Sequence, residues 1–534
     1  MLIDARDLED GHLIEADVVI VGGGAAGITL ACELSGSGRT VAVLESGGTT
    51  LESEIQRLNE GETVGMETPP LSSSRLRYLG GTTGHWTGQC GPLDPIDFEA
   101  RDWVPHSGWP FGRELLDPFY ERATRYCQLA TMAEFDAPRM REVVGSPPLG
   151  LDEDVFEPLV YQMSPPTRFG EVWRPRLAEA SDVRVYLYAN VLAVGLAPDG
   201  GTVEEVRCGT EGDRAFRARG THYVIAGGGI ENARILLASR DVHPAGVGNG
   251  ADLVGRFFLD HFNVQGVGTL VFGEPERVDS RFHGFWAWDG MHGRGGLRMP
   301  DHRLREERLL NAAILLRPVP LNPAFREAGR TDGVDAFVEL ARSAAARELP
   351  DDVWRDVCMA VNDRREVLGF VGQRVRQALG SPGGTLEASL QVEAEPAPNP
   401  DSRVTLSRET DRFGVPRARL DWRPSAIDLD SIRRTLATFA GAVGATGLGR
   451  YRADFSLEDG EPTLTTTYHH MGTTRMGTDP RSSVVDPDCR VHGVANLYVA
   501  GSSVFPTAGR SNPTFTLVAL AIRLADRLRR PEVA

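Results

Sequence analysis

The chain has 534 residues, 41% of them hydrophobic and 25% charged, the balance of a folded soluble protein with room for two or three domains. Its 57 basic against 74 acidic residues leave a net charge of −17, which argues against nucleic acid and anionic lipid as partners. All 57 basic residues are arginine, so with no lysine both Schiff-base chemistry and a Walker-type phosphate loop are excluded.

The six cysteines, Cys32, Cys90, Cys127, Cys208, Cys358 and Cys489, are scattered without a C-x-x-C pair. No zinc cage or disulfide framework is expected, and a reducing compartment fits. Residues 1–16 are polar and acidic, unlike a secretory signal. No window approaches the ~18 apolar residues of a membrane span. The expectation is a cytoplasmic protein.

The first predicted element is a strand at Asp17-Val18-Val19-Ile20-Val21, and Gly22-x-Gly24-x-x-Gly27 follows it and opens a helix from Ala25 to Leu34. Thr40 to Glu45 predicts a second strand, completing one βαβ unit. In such a unit the first glycine permits a tight turn, the second admits a pyrophosphate against the backbone, and the third lets helix and strand pack closely. The helix N-terminus supplies N–H groups and a partial positive charge. Glu45 stands eighteen residues beyond Gly27, where a carboxylate can accept from an adenosine ribose hydroxyl. This pattern specifies an unphosphorylated dinucleotide, FAD or NAD, without separating the two.

Residues 46–110 are rich in loops, and Tyr78-Leu79-Gly80-Gly81-Thr82-Thr83-Gly84-His85-Trp86 places an imidazole and an indole after a glycine turn. Leu115 to Leu129 predicts a helix, Val183 to Leu196, Val203 to Arg207 and Tyr223 to Ala226 predict strands, and Glu231 to Ser239 a helix. Residues 265–460 are more polar and irregular; within them Asp335 to Leu379 is helical in pattern, with Trp354, Val357, Val361, Leu368 and Val371 as candidate buried positions. Asp401 to Leu406 and Arg417 to Trp422 predict antiparallel strands. The chain thus leaves the nucleotide-binding pattern and returns to it at its end.

That end carries His469-His470-Met471-Gly472-Thr473-Thr474-Arg475-Met476-Gly477, and 43 positions after His469 comes Asn512. Were residues 464–470 a strand, His469 and His470 would point to opposite faces. Asn512-Pro513 reads as a helix start, Asn as cap and Pro at the first position. Leu517, Leu520, Ala521, Leu524 and Leu528 form the apolar face of that helix, opposite Arg523, Asp526, Arg527 and Arg530. A neutral imidazole suits the removal of a hydroxyl proton near neutral pH, whereas an amide can hydrogen-bond the same hydroxyl but cannot take its proton.

The fingerprint, the Gly80-Gly81-Thr82-Thr83-Gly84-His85-Trp86 turn, Ile225-Ala226-Gly227-Gly228-Gly229-Ile230-Glu231-Asn232-Ala233-Arg234 and the C-terminal block together resemble the glucose-methanol-choline (GMC) oxidoreductases over residues 10–265 and 395–530. Ser107-Gly108-Trp109-Pro110, Ser164-Pro165-Pro166-Thr167-Arg168-Phe169-Gly170 and Ser502-Ser503-Val504-Phe505-Pro506-Thr507 look like the sugar-active branch. That branch holds pyranose oxidase, bacterial glycoside 3-oxidases and the flavin subunits of fructose and gluconate dehydrogenases. Two positions depart from many members, which have Asn where Trp86 stands and Asp where Ala500 stands.

The resemblance implies a mixed α/β protein with a Rossmann-like FAD-binding domain and a substrate-binding domain built on an antiparallel or mixed sheet with helical insertions. We assign residues 1–110, 180–265 and 460–534 to the first, and 111–179 and 266–459 to the second. It implies oxidation of a CH–OH group, with sugars, glycosides or polyols favoured, and O2 or another electron acceptor such as a quinone or cytochrome. Hydroxynitrile lyases, which are not redox enzymes, share the scaffold. His469 is implied as base and Asn512 as its partner. Gly22, Gly24, Ala25, Gly27, Glu45, Ser46, Gly81, Thr82, His85, Val191, Gly501, Ser502, Pro513 and Thr514 are implied as FAD contacts. In pyranose oxidase a histidine in a context similar to that of His85 is bonded to the flavin, whereas other relatives bind FAD without that link, so both outcomes stay open. The C-terminal helix, aimed at flavin N1/O2, would stabilise the reduced ring. Trp286, Trp288, His283 and Tyr161 are candidates for stacking on sugar, and Arg168 and Arg475 for contacting substrate or flavin.

Overall fold

A computed structural model describes residues 1–212, 214–320, 336–338, 340–341, 353–364, 367–368, 371, 384–457 and 460–530. The run Val18-Val19-Ile20 is fully buried, because its strand, Leu13–Val21, lies inside a sheet covered on both faces. Such strands read as continuous apolar runs rather than as alternation. Around it the strands run Leu2–Asp4, Val183–Leu187, Val41–Leu44, Leu13–Val21, Ala215–Ile225, all parallel, with Leu497–Val499 parallel to the far end of Ala215–Ile225. Antiparallel Val203–Gly209 and Asn190–Leu196 complete this edge. The single stretch expected at 183–196 is thus two strands, broken at Tyr188, which takes φ +58°.

Among the helices packed on this sheet are α1 (Ala25–Leu34) and α2 (Glu231–Ala238), and at the far end of the chain a helix over Pro513–Leu528 packs on α1. The last returns Leu520, Ala521, Leu524 and Leu528 to the core, as its apolar face requires.

The second sheet is antiparallel, in the order Gly449–Ala453, Phe262–Phe272, Thr385–Ala394, Ala312–Pro320, Met291–Arg298, Glu157–Met163, Gln89–Cys90. Phe285–Trp288 and Leu464–Thr466 pair at its margins. The stretch read as irregular therefore carries most of a sheet. It also carries a helix of 21 residues, Ala426–Thr446, started by a reciprocal Ser425/Asp428 capping box. Arg403–Thr410 and Pro416–Trp422 pair antiparallel as expected, and Gly61–Gly65 joins them in a third sheet. Of the helix expected over 335–379, Val353–Asn362 is helical. Val361 and Leu368, expected buried, are 57% and 70% exposed; the Trp354 side chain and much of that segment lie outside the described residues.

Candidate active site

The turn after Leu13–Val21 is built by its glycines. Gly22 takes φ +107°, and a Cβ there would sit 2.6 Å from the Ala226 carbonyl oxygen. A Cβ on Gly27 would collide with the Gly22 carbonyl, so the third glycine sets how closely α1 approaches the strand. Gly24 is the opposite case: beyond its own chain neighbours, nothing lies within 4 Å of where its Cβ would be. It is the N-cap of α1 and no side chain caps it, so the first-turn N–H groups are left for a ligand.

These groups open into a cavity of about 440 Å³. Gly22, Gly24, Ala25, Glu45, Ser46, Gly81, Thr82, His85, Val191, Gly501, Ser502, Pro513 and Thr514 line it, and so do His469 and Asn512. Gly27 does not; it acts through packing. Glu45 is 6% exposed, and its carboxylate accepts from the N–H of Gly23 at 2.7 Å and of Gly47 at 2.9 Å. The Gly80–Trp86 turn rests on the fingerprint, its Gly80 N–H donating to Gly23 O at 2.8 Å. Arg75 and Arg77, which the motifs did not single out, add positive charge to the same wall and pair with Glu231 at 3.3 and 3.1 Å. Open glycine backbone, uncapped helix start and flanking arginines fit a dinucleotide with its pyrophosphate.

At the other end stand the imidazoles. The strand Leu464–Thr466 stops short of them and Tyr468 takes φ +63°, so the alternation expected for His469 and His470 does not apply and both line the cavity. Asp260 holds this bend: one carboxylate oxygen accepts from His469 N–H at 2.9 Å and Thr467 Oγ1 at 2.7 Å, the other from Thr466 Oγ1. Of the two rings, His469 meets Asn512, whose Nδ2 lies 3.2 Å from His469 Nε2. His469 Nδ1 lies 2.9 Å from His261 Nδ1. Burial, and then the neighbouring His261 and His470 rings, hold His469 well below the ordinary imidazole value. Burial, then Arg75 and His85, take His470 down to about 3. Both are neutral at neutral pH.

Asn512 sits at the N-cap position of Pro513–Leu528, but its side chain makes no capping bond. Its amide is committed instead to His469 and, through Oδ1, to Gln89 Nε2 at 3.1 Å. The cap expected of the Asn512 side chain is thus not made, and that helix start is left open towards the cavity, as at α1.

His85 lines the cavity, and burial together with Arg168 lowers its pKa, keeping the ring neutral. Arg168 is used to brace this turn, donating to the carbonyls of Thr83 at 2.8 Å and Trp86 at 3.1 Å. Arg475 is buried elsewhere, bonded to His106 O at 2.6 Å and stacked over Phe257. The aromatic set is also away from the cavity lining. Tyr161 is fully buried and bonds Arg510 O, Trp286 bonds Phe282 O, and His283 is 4% exposed. Trp288 is 40% exposed. These residues belong to the second sheet and its packing. Two residues beside the His469–Asn512 pair went unread: His261 and Gln89.

Fold and cavity define a dinucleotide-binding oxidoreductase architecture, with a neutral imidazole–amide pair at one end of the site. Residues 17–53 match a family described as FAD binding domain, and residues 398–521 one described as GMC oxidoreductase. The C-terminal match is to the GMC oxidoreductases, and the chain is an FAD-dependent oxidoreductase similar to members of that family. It is 26% identical to 6'''-hydroxyparomomycin C oxidase of Streptomyces lividus, over 95% of this chain and 90% of that one. It is 22% identical to the fructose dehydrogenase large subunit of Gluconobacter japonicus, over 96% and 98%. Among solved structures a fungal aryl-alcohol oxidase shares the fold, with TM-score 0.56, 16% identity and coverage of 98% and 99%. Among the described residues no helix is long and apolar enough to cross a membrane.

Proposed function

We propose that this chain oxidises the CH–OH group of a sugar, glycoside or other polyol to a ketone or aldehyde. The carrying observation is the His469–Asn512 pair, 3.2 Å apart, on the wall of the cavity that the dinucleotide fingerprint also lines. His469 Nε2 takes the hydroxyl proton, and the Asn512 N–H donates to the hydroxyl oxygen and holds it. Bound FAD supplies the acceptor for the hydride leaving carbon. Asp260 fixes the backbone of the base and Gln89 the amide of its partner, so both reacting groups are held before substrate arrives. Relatives named for paromomycin-type and fructose substrates favour a polyhydroxylated one. In this reading the FAD domain is discontinuous, as the split of the first sheet across residues 2–225 and 497–499 suggests. Six free cysteines, five of them buried, fit a cytoplasmic setting.

Anaerobic mixing with a panel of sugars, glycosides, polyols and aromatic alcohols tests the reading. A sugar or polyol should bleach the flavin; turnover without bleaching would point to a lyase, and bleaching by none would end the proposal. Air readmitted to the reduced enzyme separates acceptors, since an oxidase releases peroxide and a dehydrogenase does not. The flavin is expected to be non-covalent: after acid precipitation the yellow colour should remain in the supernatant, and colour in the pellet would assign a link through His85.

A further inference from the structure

The hydrogen bonds around His469 have a direction. Gly509 O is a backbone carbonyl and only accepts, and His261 Nε2 lies 2.8 Å from it. His261 therefore carries its proton on Nε2 and presents a bare Nδ1. That Nδ1 lies 2.9 Å from His469 Nδ1, and two ring nitrogens at this distance share one proton, which here must belong to His469. His469 is thus protonated on Nδ1, and its Nε2 keeps a lone pair.

The opposite side agrees. Glu393 Oε2 accepts from Gln89 Nε2 at 2.8 Å, and the same nitrogen donates to Asn512 Oδ1. Asn512 is thereby turned so that its Nδ2, a donor, meets His469 Nε2 at 3.2 Å. The series runs from an acceptor at Glu393 to an acceptor at Gly509 without a clash of donors, and each link fixes the next. His261 is 1% exposed. Burial takes its pKa down to about 4, so it stays a neutral acceptor.

We propose that His261 is a positioning residue: anchored on Gly509 O, it holds His469 in the Nδ1–H tautomer and so turns the bare Nε2 towards the hydroxyl to be oxidised. The proposal rests on His469 being the base. Leu259-Asp260-His261 then governs the base twice, Asp260 through its backbone and His261 through its ring. An imidazole in the other tautomer would offer an N–H where the reaction needs a lone pair, and the proton would have nowhere to go.

The test reads the tautomer directly, in holoenzyme labelled with 15N-histidine, from two-bond 1H–15N correlations assigned by the loss of the His469 signals in His469→Gln. Wild type should show His469 protonated at Nδ1 and bare at Nε2. His261→Phe keeps a ring in the core but removes the acceptor. It should move His469 to the Nε2–H or a mixed pattern, and slow anaerobic flavin reduction about 100-fold with a smaller change in KM. His261→Asn returns an oxygen near the place of Nδ1 and should recover the tautomer and most of the rate. An Nε2–H form in wild type, or a His261→Phe enzyme with unchanged tautomer and rate, would overturn the proposal. Full bleaching by His469→Ala with the tautomer as expected would instead refute the base and leave the hydrogen-bond order standing.

Discussion

Replacing His469 with Ala should leave FAD bound and slow anaerobic flavin reduction by the alcohol about 10²- to 10⁴-fold, the usual contribution of a positioned base. Flavin retention is expected because the fingerprint turn, Glu45 and the two helix starts are untouched. Only the Asn512 and His261 contacts are lost with the ring. The pH dependence has a defined sign. The reactive form is the neutral ring, and burial and neighbouring imidazoles hold its pKa well below 6.5. Rate constants for the bound alcohol should therefore stay level from pH 8 down through 6.5, and fall only when acid reaches the lowered pKa. Stability turns in the same direction. His261, His469 and His470 are all buried with lowered pKa values. The unfolded chain then binds more protons below about pH 6.5, and stability falls as pH falls. Activity lost below pH 6 should accordingly coincide with a falling Tm. A break in rate near pH 6.5 at constant Tm, or undiminished bleaching by His469→Ala, would refute the assignment.

The nucleotide end of this enzyme is legible from sequence because its signal is local. An apolar run, three glycines at fixed spacing and an acid at the next strand end lie within Asp17 to Glu45, and each answers to one contact in the folded protein. The second sheet is not legible, for two physical reasons. Its strands pair across long separations, as Phe262–Phe272 does with Thr385–Ala394. Its inner positions near the site are also polar: Gln391 donates to Asn263 on the neighbouring strand and to Glu393 on its own, and Glu393 accepts from Gln89. A strand whose buried face carries amides and a carboxylate loses the alternation by which strands are found. His261 was missed for a related reason: it lies 208 positions from the ring it touches, and nothing local marks it beyond an acid–imidazole pair ahead of an apolar run. The aromatic candidates failed in the opposite sense. Trp286 and Tyr161 fill the core, as large rings usually do.

The largest expected loss of stability follows from Arg101→Leu. Arg101 and Glu395 are each 0% exposed. Their contact is bidentate, Nη1 to Oε2 at 2.8 Å and Nη2 to Oε1 at 2.6 Å, and Glu395 also accepts from Asn311 N–H at 3.1 Å. The pair fastens the segment around Phe98–Arg101 to the end of the Thr385–Ala394 strand, next to the site. Such a pair recovers little more than the cost of drying its two charges, so its presence is weak evidence of net stabilisation. Removing one partner is different, because the other is left charged in a dry core, at a cost of about 3–5 kcal/mol. Asp97 makes the variant worse in alkali. Burial first, then the Asp94 and Glu395 charges, raise its pKa, and the Arg101 cation opposes them. Without that cation the folded state holds the Asp97 proton to higher pH, while the unfolded chain has already released it. The deficit should therefore widen as pH rises. Thermal melts of the holoenzyme followed by flavin fluorescence will show it. The double variant Arg101→Leu with Glu395→Gln should recover at least half of the loss, because a neutral amide still accepts from Asn311 and leaves no bare charge. If the double variant melts no higher than Arg101→Leu alone, the loss comes from packing around the guanidinium rather than from a stranded carboxylate.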